Sequence, residues 1–217
     1  MTIQVLIADD HAVVRDGLQA LLNAQPDMHV VGAVGDGRSA IAEVARLQPN
    51  VVVMDIIMPD LNGIDACRQI RLTQPSTQVI MLSMYAAGEH IQRALRAGAL
   101  GYVLKESAGR ELIEAVRSVA ERRRYLSESV VESIINGQGQ PGDPEASHSP
   151  LDLLSPRERE VLQLVAEGKT SAKIGEILVL SPKTVDTYRR RLMKKVGVHN
   201  VPELVKFAIQ HGIIGLE

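Results

Sequence analysis

The chain of 217 residues has a single cysteine, Cys67, so no disulfide can form within it. A lone thiol suits a reducing compartment. Aromatic residues make up 2%, with one phenylalanine and no tryptophan, so any core must be aliphatic. No apolar run approaches the roughly 18 residues that a membrane span needs, and no membrane partner is expected. The start, MTIQVLIADDH, has no basic region before its apolar run and acids after it, unlike a signal peptide. An excess of one charge is missing as well: 24 Lys and Arg stand against 26 Asp and Glu. A cytoplasmic protein of ordinary soluble composition is the expectation.

The balanced average hides an asymmetry. Residues 1–124 hold 13 Lys/Arg and 14 Asp/Glu, residues 125–150 none and four, and residues 151–217 eleven and eight. Within Ser181–Lys195 six basic residues face one acid. That local positive patch suits an anionic partner.

The first part alternates short apolar runs with amphipathic stretches. The runs are Ile3–Ala8, His29–Val34, Val51–Met54, Val79–Leu82 and Gly101–Leu104. Helical periodicity lies near 12–24, 37–47, 63–72, 87–97 and 109–123. The alternation predicts an α/β domain over 1–124: a five-stranded parallel sheet, (βα)5 and flavodoxin-like, with helices on both faces. The segment 125–150 reads as a linker, a short helix near Ser127–Ile135 and then NGQGQPGDPEASHSP, which has almost nothing to bury. Residues 151–217 read as a small all-α domain. Its first helix starts at Ser155 with Pro156 next and Glu158 three on, a capping-box pattern, and ends at Gly168. Further helices fall near 171–178, 182–195 and 201–211.

Chemistry-bearing residues stand at the strand ends. Asp9 and Asp10 follow the first strand, Asp55 the third, Ser83 the fourth and Lys105 the fifth. In a sheet ordered 2-1-3-4-5 these strands are neighbours, so the five residues converge on one crevice at the carboxyl edge. An Asp after a strand is usually a helix cap or turn former, and a lone lysine or hydroxyl there means little. Together they differ: three carboxylates would repel one another unless a cation such as Mg²⁺, which takes hard oxygen ligands, joined them. A lysine and a hydroxyl alongside make a cradle for a phosphoryl group. Asp55 would then be a nucleophile that forms an acyl phosphate.

The stretches IADDH, MDIIMPDLNG, MLSMY and GYVLK resemble the signatures of the CheY-like receiver domain of two-component response regulators. The resemblance implies Asp55 as the site phosphorylated by a sensor histidine kinase. It implies Asp10, the Asp55 carboxylate and the Ile57 carbonyl as Mg²⁺ ligands, with Asp9 assisting. Ser83 and Lys105 would hold phosphoryl oxygens, and Tyr102 matches an aromatic switch position that turns inward as Ser83 moves. Pro59 and Gly63 would shape the loop after Asp55. Receivers commonly carry a Pro after this lysine, often across a cis bond. Glu106 stands here, and a cis bond without Pro would cost about 3–4 kcal/mol, so the local conformation stays open. Ile57 and Tyr85 flank the expected path of an attacking water, and neither is an acid or amide that would orient it, which predicts a long-lived phosphoryl group.

Other motifs compete poorly. GDGRSA, Gly35–Ala40, fits a dinucleotide fingerprint but follows the second strand and leaves the acidic set unexplained. EGKTS lacks the first glycine of a P-loop, with Gln163 in its place. The six histidines show no metal-ligand spacing. A dehalogenase-type phosphatase needs a second acid two residues after Asp55, where Ile57 stands.

In the basic region, SAKIGEILVLSPKTVDTYRRRLMKKVGV reads as helix, tight turn, helix. Ile174, Ile177 and Leu178 can face Val185, Leu192 and Val196. The opposite face carries Lys183, Asp186, Thr187, Arg189, Arg190, Arg191 and Lys194, and a cationic helix face fits the major groove. A solvated basic face is the plainer alternative. The run from Leu154 to about Ile213 resembles the LuxR-type output domain of NarL/FixJ regulators. By that resemblance Asp186, Thr187 and Arg190 face bases and Lys183, Arg189, Arg191 and Lys194 meet phosphates. Many relatives have Lys or another residue where Asp186 stands, and an acid there can accept from cytosine N4. The last helix, about 201–210, resembles a dimerising helix, so a homodimer on double-stranded DNA is implied. The reading is a response regulator and transcription factor, not an enzyme turning over a metabolite. The alternative is a phosphorylation-independent DNA-binding regulator whose receiver is a scaffold.

Overall fold

The structure, a computed structural model, describes residues 2–84, 88–136 and 149–215, and the side chains of 134–136 are outside it. Tyr85 and the greater part of the expected linker, 137–148, lie outside the described residues. The chain divides into two compact units, Met1–Gly139 and Gln140–Glu217.

In the first unit the strands are β1 (Ile3–Ala8), β2 (Met28–Val34), β3 (Val51–Asp55), β4 (Gln78–Ser83), β5 (Gly101–Leu104) and β6 (Tyr125–Leu126). They form one parallel sheet in the order β2-β1-β3-β4-β5-β6. The expected five-strand order is present, and a sixth strand extends it. β6 is two residues long, too short to show an alternation. Its register, Gly101↔Tyr125 and Tyr102↔Leu126, covers the edge that β5 would otherwise expose.

The intervening helices are α1 (Ala12–Asn23), α2 (Gly37–Leu47), α3 (Gly63–Thr73), α4 (Gly88–Arg96) and α5 (Ala108–Ala120). One core cluster places Leu6, Val52, Met54, Val79 and Met81 with α2, α3 and α4. The other places Val5, Ile7, Val51, Val53, Ile80 and Leu82 with α1 and α5. Alternate residues of each strand feed opposite faces, which is why the strands are apolar throughout. Helix starts are set locally: the Asp36 side chain accepts from Ser39 N, and the Asn62 side chain from Asp65 N. A sixth helix, α6 (Glu128–Asn136), packs Val130 into the first cluster beside Tyr102. The helix expected within a linker is thus docked on the receiver.

The second unit has a 3-10 turn (Pro150–Leu153) and helices α7 (Pro156–Ala166), α8 (Ser171–Leu178), α9 (Pro182–Val196) and α10 (Val201–Gln210), with no strand among the described residues. Ser155 and Glu158 form the expected reciprocal cap. Ser181 accepts from Thr184 N with Pro182 following, and Gly197 ends α9 at φ 72°. Ile174, Leu178, Val185 and Leu192 are buried together.

Candidate phosphoacceptor pocket and nucleic-acid interface

β1, β3, β4 and β5 bring their carboxyl ends side by side, and the residues predicted from the sequence meet there. Asp55, the last residue of β3, is buried. Its Oδ1 accepts from Ile56 N at 2.7 Å and its Oδ2 from Lys105 Nζ at 2.7 Å. Asp9 Oδ2 lies 2.7 Å from the same ammonium, which thus pairs with both carboxylates. Asp9, Asp10, His11 and Asp55 offer ligand atoms within 4.8 Å of one another. His11 escaped the sequence reading, although it closes the IADDH stretch. Its Nδ1 is 2.7 Å from Asp10 Oδ1 and its backbone N–H donates to Asp9 Oδ1 at 2.9 Å. The Arg15 guanidinium donates to the Asp9 carbonyl at 2.6 Å and braces the same turn.

The electrostatics follow from burial. Desolvation pushes the Asp55 carboxyl up from 3.8 to about 6, with Lys105 opposing and Asp9 and Asp10 reinforcing. Burial works against the Lys105 ammonium too, but Asp55 and Asp9 outweigh it and hold its pKa above the ordinary value. The Lys105 N–H donates to the Ser83 carbonyl at 2.8 Å, which ties β5 to β4 at the pocket. No cis peptide bond occurs among the described residues, so Lys105–Glu106 is trans and Glu106 carries no cis penalty.

Two expectations about the surrounding loop can be followed to atoms. Gly63 N donates to Ile56 O at 2.8 Å, and a Cβ on Gly63 would fall 1.8 Å from Asp55 O. Only glycine lets α3 start so close to the acceptor strand. The Tyr102 ring was expected to turn inward on switching; here it is already fully buried. It packs in a cluster with Val130 of α6, with Leu126 of β6 against that cluster. Burial pushes its hydroxyl up to about 12, a hydrogen bond from Ser83 opposing and Asp55 adding to the shift.

Gly37 of the GDGRSA stretch sits where a Cβ would be 2.3 Å from Leu61 O, so the glycine serves helix packing after the Asp36 cap. Cys67 is buried in the first core, and burial pushes its thiol up to about 12.

In the second unit α8 and α9 meet through a tight turn. Leu180 N donates to Gly175 O at 2.8 Å, and a Cβ on Gly175 would lie 2.5 Å from Leu180 O. Val179 occupies the turn at φ 55°, a left-handed conformation that β-branched residues rarely adopt. On α9 Val185 and Leu192 point inward. Lys183, Asp186, Arg190, Arg191 and Lys194 are exposed, and Thr187 and Arg189 half-buried. Thr187 donates its hydroxyl back to Lys183 O at 2.9 Å. A cleft of about 380 Å³ is lined by Ser181, Lys183, Thr184, Thr187, Tyr188 and Arg191. Tyr188, Thr184 and Ser181 were not among the residues foreseen.

An acidic strand-end pocket on a five-strand parallel core, followed by a helix-turn-helix with a basic face, defines a two-component regulator. Residues 5–117 match the response regulator receiver domain and residues 152–208 the bacterial regulatory proteins of the luxR family. The chain is 38% identical over 216 residues to the oxygen regulatory protein NreC of Staphylococcus carnosus (strain TM300), covering 97% of this chain and 99% of that protein. A crystal form of the Salmonella typhimurium RcsB response regulator is similar with TM-score 0.59 and 30% identity, covering 95% of this chain and 97% of that one. An RcsB–DNA complex is similar with TM-score 0.59 and 29% identity, covering 95% of this chain and 98% of that one. The chain belongs to the LuxR-type response regulators, transcription regulators that join a receiver to a DNA-binding domain and are not classical enzymes. Among the described residues no helix is long and apolar enough to cross a membrane.

Proposed function

We propose that Asp55 accepts a phosphoryl group from the phosphohistidine of a sensor histidine kinase, and that this controls dimerisation and DNA binding in the cytoplasm. The supporting observation is the buried Asp55 carboxylate held by Lys105 at 2.7 Å beside Asp9 and Asp10. An Asp55 oxygen attacks phosphorus, the P–N bond to the imidazole breaks, and an acyl phosphate forms. Lys105 is placed to follow the transferred charge, and the Ser83 hydroxyl can take a phosphoryl oxygen.

The residues present fit Mg²⁺. The donors are hard oxygens, and Asp9, Asp10 and Asp55 bring carboxylate oxygens within 4.8 Å of one another. Asp10, Asp55 and the Ile57 carbonyl would hold the ion, with Asp9 assisting, and its charge would offset that of the clustered carboxylates. With charge gathered at Asp55, Ser83 is drawn to the phosphoryl oxygens and its bond to Tyr102 is re-made. Lys183, Arg189, Arg191 and Lys194 meet DNA phosphates, while Asp186, Thr187 and Arg190 face bases. α10 supplies a dimer contact, which would set two half-sites about one helical turn apart.

The test is DNA binding and oligomeric state with Mg²⁺, with and without beryllofluoride, on the native chain and on Asp55→Ala. The expected result is tighter binding and dimerisation with beryllofluoride only where Asp55 is present. Equal DNA binding in every condition would make the receiver a scaffold.

A further inference from the structure

Asp186 is the single acid among the six basic residues of Ser181–Lys195, on the α9 face read above as facing DNA. A carboxylate brought against a phosphate backbone opposes binding, so general affinity gives no reason for it. The neighbouring cations do not neutralise it: no ion pair joins it to Arg189 or Arg190, three and four residues further along the helix, although such pairs are within reach on a helix surface. Its partner comes from another helix. The hydroxyl of Ser171, the first residue of α8, donates to Asp186 Oδ1 at 2.6 Å. That length belongs to a charge-assisted bond.

The platform beneath this pair is rigid. α8 is fastened to α9 by the Gly175–Leu180 turn and by Ile174 and Leu178 packed with Val185 and Leu192. Ser171 therefore fixes the carboxylate direction before DNA arrives, which lowers the ordering cost of binding. One oxygen is engaged, and Oδ2 has no other hydrogen-bond partner among the described residues.

We infer that Ser171 and Asp186 act as a specificity clamp, with Ser171 as the positioning residue and Asp186 Oδ2 accepting the N4 amino group of one cytosine in each half-site. The inference rests on α9 being the DNA-reading helix. A carboxylate only accepts. Guanine offers acceptors at O6 and N7, thymine an acceptor at O4, and adenine sets its acceptor N7 beside its amino group. Cytosine alone presents a major-groove donor with no acceptor on its own base edge. The acid thus lowers affinity for all DNA and restores it at one base.

The experiment is selection from randomised duplexes by the full chain with Mg²⁺ and beryllofluoride, read by sequencing. Native protein, Asp186→Ala, Ser171→Ala and Ser171→Thr are compared, together with their affinity for mixed-sequence DNA. The native chain is expected to favour cytosine at one position per half-site by roughly tenfold. Asp186→Ala flattens that position alone and binds mixed-sequence DNA more tightly. Ser171→Ala weakens the same preference several-fold with mixed-sequence affinity unchanged, and Ser171→Thr, which keeps the hydroxyl, retains it. Identical preferences in the native chain and Asp186→Ala would overturn the clamp. So would a Ser171→Ala chain that selects as the native does, or one that loses preference equally at all positions, which marks a merely structural serine. A native chain that selects no sequence at all would overturn the DNA-reading role of α9 as well.

Discussion

Removing the charge of Asp55 should make the receiver more stable at neutral pH, not less. The carboxyl is buried, and its pKa stands at about 6 against an ordinary 3.8. A pKa raised in the folded state means that folding favours the protonated form. Its stabilising contribution is complete below about pH 4 and is lost as pH rises through 6. A shift of about two units corresponds to about 3 kcal/mol by pH 7.5. Lys105 already offsets part of the desolvation, and that offset is contained in the shift. Asp55→Asn keeps the shape, and an amide oxygen can still accept from Lys105. Calorimetry of the full chain without divalent cations should show the receiver transition of Asp55→Asn above the native one at pH 7.5. The gain should be about 10 °C, using roughly 3–4 °C per kcal/mol for a domain of this size. Near pH 4 the two should coincide. Adding Mg²⁺ at pH 7.5 should raise the native transition and leave Asp55→Asn almost unmoved, because the ion is linked to the carboxylate. An Asn variant equal to or less stable than the native chain at pH 7.5 would refute the view that this pocket stores unfavourable charge for use in chemistry.

Gly63→Ala should lower receiver stability by about 1–3 kcal/mol and abolish labelling of Asp55 by a small phosphodonor, since its Cβ meets the Asp55 carbonyl at 1.8 Å; native-level labelling would contradict the packing account. Val179→Asn should stabilise the second unit by about 1 kcal/mol, seen as a higher urea midpoint at unchanged m-value, because Val179 is 89% exposed at φ 55° and a Val there gains little from burial. The phosphorylated native chain should release phosphate over minutes or longer, because the sequence carries no acid or amide two residues beyond Asp55 or Ser83 to orient water; release within seconds, measured on purified protein, would refute this.

Much of the pocket was legible because a parallel sheet forces strand ends together. Once five apolar runs were counted, Asp9, Asp10, Asp55, Ser83 and Lys105 could only gather at one edge. The cap at Ser155 was legible for a similar reason: a cap acts within four residues, and so does its sequence signature. His11 was not, since one histidine beside two acids has no spacing to distinguish it. The Ser171–Asp186 bond was not legible either. It joins side chains 15 residues apart across a turn, and no periodicity marks it.

The remaining difference concerns residues 125–136, expected as the short helix that opens the linker and found as β6 and α6. The sequence reading placed them outside the receiver domain, 1–124. Three apolar residues decide otherwise. Tyr125 packs against one face of the sheet, while Leu126 and Val130 pack against the other. Backbone bonds follow: Tyr125 N donates to Leu100 O and Ser127 N to Tyr102 O, each at 3.1 Å. Tyr102 is thus bound at both ends. Its hydroxyl meets Ser83 at the pocket, and its carbonyl holds the segment that leads out of the receiver. A two-residue strand has little stability of its own, so its pairing depends on the packing around Tyr102. The residue expected to respond to Asp55 is therefore also the one to which β6 and the start of α6 are fastened.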